Sequence, residues 1–112
     1  MALVTVKSEK KRITAILQDM PANELELSRG LIEEAAWIRV KLRELKADID
    51  ENGLFEPFQQ SEKVDPYDRE RPQAKQYHAF YKDYENAIKS LLERCPPEKR
   101  GSKLKEFMSG VR

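Results

Sequence analysis

One histidine, one thiol and several acidic runs are the groups in this chain with the chemistry for catalysis or metal binding. His78 is alone, so it cannot serve both a nucleophile and a metal, and with Cys95 as the single thiol the usual zinc sets cannot form. Cys95 falls at the C-terminal end of an expected helix, where the helix dipole disfavours a thiolate. Glu33 and Glu34, and the run Asp48, Asp50 and Glu51, lack a histidine partner and alternate with Arg43 and Lys46, the pattern of a solvated helix face. There is no Gly-rich phosphate loop, no HExxH and no GxSxG. No catalytic residue, metal, cofactor or small-molecule substrate is expected.

Positive charge is the one local concentration of chemistry left. Lys7, Lys10, Lys11 and Arg12 cluster on one short element, and phosphates are their natural partner through charge and counterion release rather than base readout. These four are the candidate contacts to double-stranded DNA. Tyr77, Tyr81 and Tyr84 could stack bases, but their three-four spacing assigns them to a core face instead. Net charge is +1 and unevenly spread. The first twenty residues carry four basic and two acidic side chains and the last seventeen carry five and two, whereas residues 23–52 carry five and eight. Basic ends with an acidic middle suit arms that meet an anion while the body stays off it.

These residues need elements to hold them. In residues 23–52, Leu27, Leu31, Ala35, Ile38, Leu42, Leu45 and Ile49 recur in steps of three and four, a heptad seam on one helix. Asn23 with Glu26 reads as its start and Asn52-Gly53 as its stop. Gly30 inside it implies either a close neighbouring backbone or a helix that begins near Ser28 after an irregular turn. Trp37 lies just off the seam as an anchor for a helix or subunit contact. A second seam runs through residues 72–95 as Ala74, Tyr77, Tyr81, Tyr84, Ile88, Leu91 and Cys95, opened by Pro72 and stopped by Pro96-Pro97.

Residues 1–20 hold a short basic helix capped by Thr5 or Ser8 and ended by Pro21, residues 53–71 read as a long loop, and residues 96–112 as a basic, mobile tail. The expected fold is all-α. It is a single domain built as an antiparallel hairpin of two long helices with a short N-terminal helix, oligomerising through its seams because one copy is too thin to cover them. A lone cysteine, the absence of an apolar run of about twenty residues and an N-terminus unlike a secretion signal point to the cytoplasm and away from membranes.

The order of a short basic helix, the helix LIEEAAWIRVKLRELKADIDENG, and the stretch FQQSEKVDPYDRERP leading into QAKQYHAFYKDYENAIKSLLERCP resembles the small terminase subunits of tailed bacteriophages and prophages. The resemblance covers residues 11–97. It implies a non-enzymatic viral DNA-packaging protein that assembles as a homo-oligomeric ring through a helical hairpin, binds viral DNA, and regulates the large terminase subunit in the bacterial cytoplasm. The family's DNA contacts often lie in N-terminal helical domains; here that region is one short helix, so Lys7, Lys10, Lys11 and Arg12 stand as candidates by charge. Lys99, Arg100, Lys103 and Lys105 would face the DNA or the large subunit. The alternative is a helical adaptor or regulator that binds protein through a patch around Trp37 or Phe80 and no nucleic acid.

Overall fold

A computed structural model describes residues 4–109. Helix α1 spans Val6–Ile16. Its first turn is closed by a reciprocal cap: the Ser8 N–H donates to the Thr5 hydroxyl at 3.1 Å and the Thr5 N–H donates to Ser8 Oγ at 3.0 Å. Thr5→Ala removes that cap and is expected to cost about 1 kcal/mol. In a thermal melt this reads as a fall of about 5 °C. The helix ends at Ile16, and residues 17–20 form a turn before Pro21.

The first seam is not one unbroken rod. Helix α2, Ala22–Leu27, stops at Ser28, and α3 runs over Arg29–Asn52. Pro21, not Asn23, is the N-cap of α2. Ser28 is fully buried at the joint, donating its hydroxyl to the Glu24 carbonyl and accepting from Arg94 at 2.8 Å. A serine that bonds its own preceding turn competes with helix continuation. Leu27 is left 76% exposed as a result, off the core altogether. A Cβ added at Gly30 would meet nothing within 4 Å, so the glycine marks the first turn of α3 and not a close approach.

Helix α4 spans Pro72–Leu92 with Pro72 at its first position. It runs antiparallel to α3: Ser28 meets Arg94, Trp37 meets Phe80, and Asp48 meets Arg71. Residues 53–71, expected as a loop, instead hold two short antiparallel strands, β1 Phe55–Phe58 and β2 Tyr67–Glu70, so the described chain is mostly helical but not purely so. Gly53, at φ 84°, makes the turn out of α3 that a side chain would resist. The strands were hidden because they are four residues long, include Pro57 and carry charges at three of the four positions of β2.

The described part of the tail is also ordered. After a 3₁₀ turn at Pro97–Lys99, helix α5 covers Arg100–Ser109 and buries Phe107 completely. Packing of α1 and α5 over the N-terminal half of α3 and the C-terminal half of α4 makes the core, around Ile13, Leu17, Ile32, Ala35, Tyr84, Ile88 and Leu91. This is the head of a molecule 63 × 29 × 22 Å in extent. The two seams therefore divide. Ala35, Ile38, Leu42, Tyr84, Ile88 and Leu91 are buried within one copy, against the expectation that a single copy leaves the seams open. Leu31, Leu45, Ile49, Tyr77 and Tyr81 remain half-buried, and four of these five fall in the half that α1 and α5 do not reach.

Candidate nucleic-acid interface

The four cations of α1 do not act as a set. Glu9, Arg12, Ile13 and Ile16 follow the three-four stripe of an inward face, so Arg12 is turned into the protein. Its Nε donates to both Glu9 oxygens, at 2.8 and 3.1 Å, one terminal nitrogen donates to the Glu106 carbonyl at 3.1 Å, and the other to the Tyr84 hydroxyl at 3.3 Å. Burial pulls the Arg12 pKa down, but its contacts with Glu9 and Tyr84 outweigh that and leave it raised. Arg12 is a strut joining α1, α4 and α5. Its donors are engaged by protein acceptors, so it does not share the free outward face of the three lysines, which corrects its place among the DNA candidates.

Arg12 belongs to a buried charge network that the sequence did not suggest. Glu9 and Arg39 are each 3% exposed, and Arg39 Nε lies 3.1 Å from Glu9 Oε1 without the alignment of a hydrogen bond. Burial lowers the Arg39 pKa against the pull of Glu9, and burial raises that of Tyr84. The only sequence signal was position: Glu9 and Arg12 share the stripe of Ile13 and Ile16.

Lys7, Lys10 and Lys11 point outward. They rim an open groove on α1 floored by Val6, Ala15 and Thr14, with Glu33 of α3 at one side. Lys10 approaches Glu33 at 3.9 Å, and both side chains are about half-exposed or more, so this pair is weak and breaks readily. Three lysines on one helical face can follow a phosphate backbone.

The basic tail is used differently from expectation. Lys103 is buried and donates to the Ile16 carbonyl, with Asp19 Oδ2 at 3.3 Å; Lys99 reaches the same oxygen at 3.3 Å. Arg100 donates to the Cys95 and Glu93 carbonyls. These residues clamp α5 to the head, and of the four tail cations Lys105 alone is exposed without a bond in the described structure. Hydrogen bonding from Lys99 and then Lys103 holds the Asp19 carboxyl below its ordinary range. A lowered carboxylate pKa means stability present above about pH 4 and lost as pH falls through the folded value. Urea unfolding should therefore show wild type and Asp19→Asn converging as pH drops from 5 to 2.

The remaining chemical candidates are structural or solvated. Cys95 is buried, its thiol pushed up by desolvation and donating to the Leu91 carbonyl. His78 is exposed, and no group of three or more metal-ligating side chains comes together among the described residues. Asp48 receives Arg71 at 2.7 Å and so pins the strand exit to α3. Trp37 is 39% exposed, edge-on to Phe80 at 5.6 Å with Lys41 over its ring. No helix of the described chain is long and apolar enough to cross a membrane.

Charge is divided along the molecule. Residues 4–40 and 82–109, which build the head, carry thirteen basic and eleven acidic side chains; residues 41–81, at the far end, carry seven and nine. The head is thus +2 and the far end −2. No family model, curated protein or solved structure matches this chain.

Proposed function

We propose that this protein is a non-enzymatic DNA-packaging subunit of the small-terminase kind, a homo-oligomer that meets double-stranded DNA through Lys7, Lys10 and Lys11 and regulates a large ATPase–nuclease subunit. The observation that carries the reading is the division of charge: a positive head bearing an exposed lysine face, and a negative far end that duplex DNA repels. The half-covered aromatic and aliphatic side chains Leu45, Ile49, Tyr77 and Tyr81 support self-association, since a second copy would bury them. Weak lysine contacts repeated around a ring add up by avidity, which removes the need for a base-reading element.

Light scattering coupled to size exclusion is expected to give a defined oligomer larger than a dimer. A duplex titration is expected to show binding that falls steeply with salt. A monomer with a flat duplex titration would overturn the reading. The exposed Trp37, edge-on to the half-buried Phe80, favours a second one, a helical adaptor for another protein, and that is what a flat titration with a monomer or dimer would support.

A further inference from the structure

The two strands leave one edge closed and one open. Arg71 N–H donates to the Leu54 carbonyl at 2.8 Å, and the register pairs Phe55 with Glu70 and Pro57 with Asp68. Alternation from that bond makes Glu56–Arg69 and Phe58–Tyr67 the hydrogen-bonded pairs. Phe55 and Pro57 on β1, and Asp68 and Glu70 on β2, therefore aim their main-chain groups outward. Pro57 has no N–H, so the outer edge of β1 is blunted. The outer edge of β2 offers two intact residues, and all four of its side chains are exposed.

Which strand fits that edge follows from charge. Asp68 and Glu70 share one face of the sheet, while Tyr67 and Arg69 share the other with Phe58 and Glu56. A second copy of β2 placed by two-fold symmetry sets Asp68 against Glu70, Asp68 against itself, or Glu70 against itself. Like charges directly opposite destabilise a sheet. A second copy of β1 is refused by Pro57. The edge is thus biased against this chain's own strands yet not closed. Around it lie four exposed apolar side chains, Leu54 at 51%, Phe55 at 60%, Val64 at 45% and Tyr67 at 51%, at the negative end of the molecule.

We infer that the outer edge of β2 is a docking site for an extended segment of another protein, one carrying basic side chains at alternate positions with apolar residues between them. The segment adds as a third strand. Its basic residues lie beside Asp68 and Glu70, and its apolar residues lie beside Tyr67 and the Arg69 stem. The site lies at the end away from α1, so it needs no DNA and stands independently of the reading above.

The probe is a blocked synthetic peptide, Thr-Lys-Val-Lys-Val-Thr, titrated against the full chain, with a version methylated at the main-chain nitrogens of both lysines and both valines as control. Saturable binding is expected for the first peptide and at least tenfold weaker binding for the second. Asp68→Pro removes an outward N–H together with the carboxylate and leaves the β1–β2 ladder intact, so the far-ultraviolet spectrum should be retained while affinity falls at least tenfold below that of Asp68→Asn, which loses the carboxylate alone. Glu70→Lys should also lower affinity, through charge. Equal binding to the N-methylated peptide, or an affinity in Asp68→Pro no lower than in Asp68→Asn, would mean charge attraction alone and overturn the inference. So would no saturable binding, or self-association of the free protein that Asp68→Pro abolishes.

Discussion

Replacing Lys7, Lys10 and Lys11 together by glutamine is expected to lower affinity for duplex DNA by about tenfold to a hundredfold at moderate salt, similarly on every sequence. Each lysine that neutralises a phosphate contributes about 0.9 to the slope of log affinity against log salt, so the triple variant should lose up to about 2.7 of it. The fold should be untouched, because all three side chains are solvated and, among the described residues, only Lys10 has a protein partner, at 3.9 Å. Fluorescence anisotropy on two unrelated duplexes across a salt series checks this. A triple variant with wild-type slope would show that the head does not meet DNA through α1. Arg12→Gln is the instructive contrast: it should lower stability through its lost bonds to Glu9, Tyr84 and the Glu106 carbonyl, with a salt slope like that of wild type.

The largest stability loss is expected from Glu9→Leu. It leaves the Arg39 guanidinium 3% exposed with its counter-ion gone. Removing one partner of a buried pair typically costs about 3–5 kcal/mol, because the stranded charge has neither water nor a partner. Against a total stability of about 5–15 kcal/mol for a domain this is a large fraction. Glu9→Leu combined with Arg39→Met should recover most of the loss, since the desolvation penalty disappears with the charge. Arg12 tolerates the double change because it is partly solvated and keeps Tyr84 and the Glu106 carbonyl. Urea unfolding of the two single variants and the double variant closes the cycle. A single variant within about 1 kcal/mol of wild type would mean that the network is not stabilising.

The helical body was legible because the seam spacing reports burial directly: Ala35, Ile38 and Leu42 lie where the three-four steps put them, as do Tyr84, Ile88 and Leu91. Spacing alone could not show the joint at Ser28. Leu27 fits the heptad by number, and only the serine's bond to the Glu24 carbonyl and its burial against Arg94 break the helix there. The strands escaped notice because Pro57 and the charges of β2 resemble a loop, and their pairing depends on Gly53 turning the chain back. Lys103 read as a solvated tail cation because composition cannot see the Ile16 carbonyl to which it donates, 87 residues earlier in the chain. The lysine face was found by charge, but adjacency misplaced Arg12. One residue along a helix is a turn of about 100°, enough to take a side chain from water to the core.

The clasp between the two end helices has a consequence for how the protein is made. Arg12 reaches a carbonyl 94 residues downstream, and Phe107 completes a cluster that includes Ile13 and Leu17. A ribosome adds about 5–20 residues per second, so α1 waits several seconds or more for the lid that seals it. During that interval α3 and α4 can zip together from the Gly53 turn through contacts that grow steadily longer in range. Ile13, Leu17 and the carboxylate of Glu9 meanwhile lack the shelter of α5. Nascent chains halted before α5 emerges should accordingly be cut by protease within α1 while α3 and α4 resist.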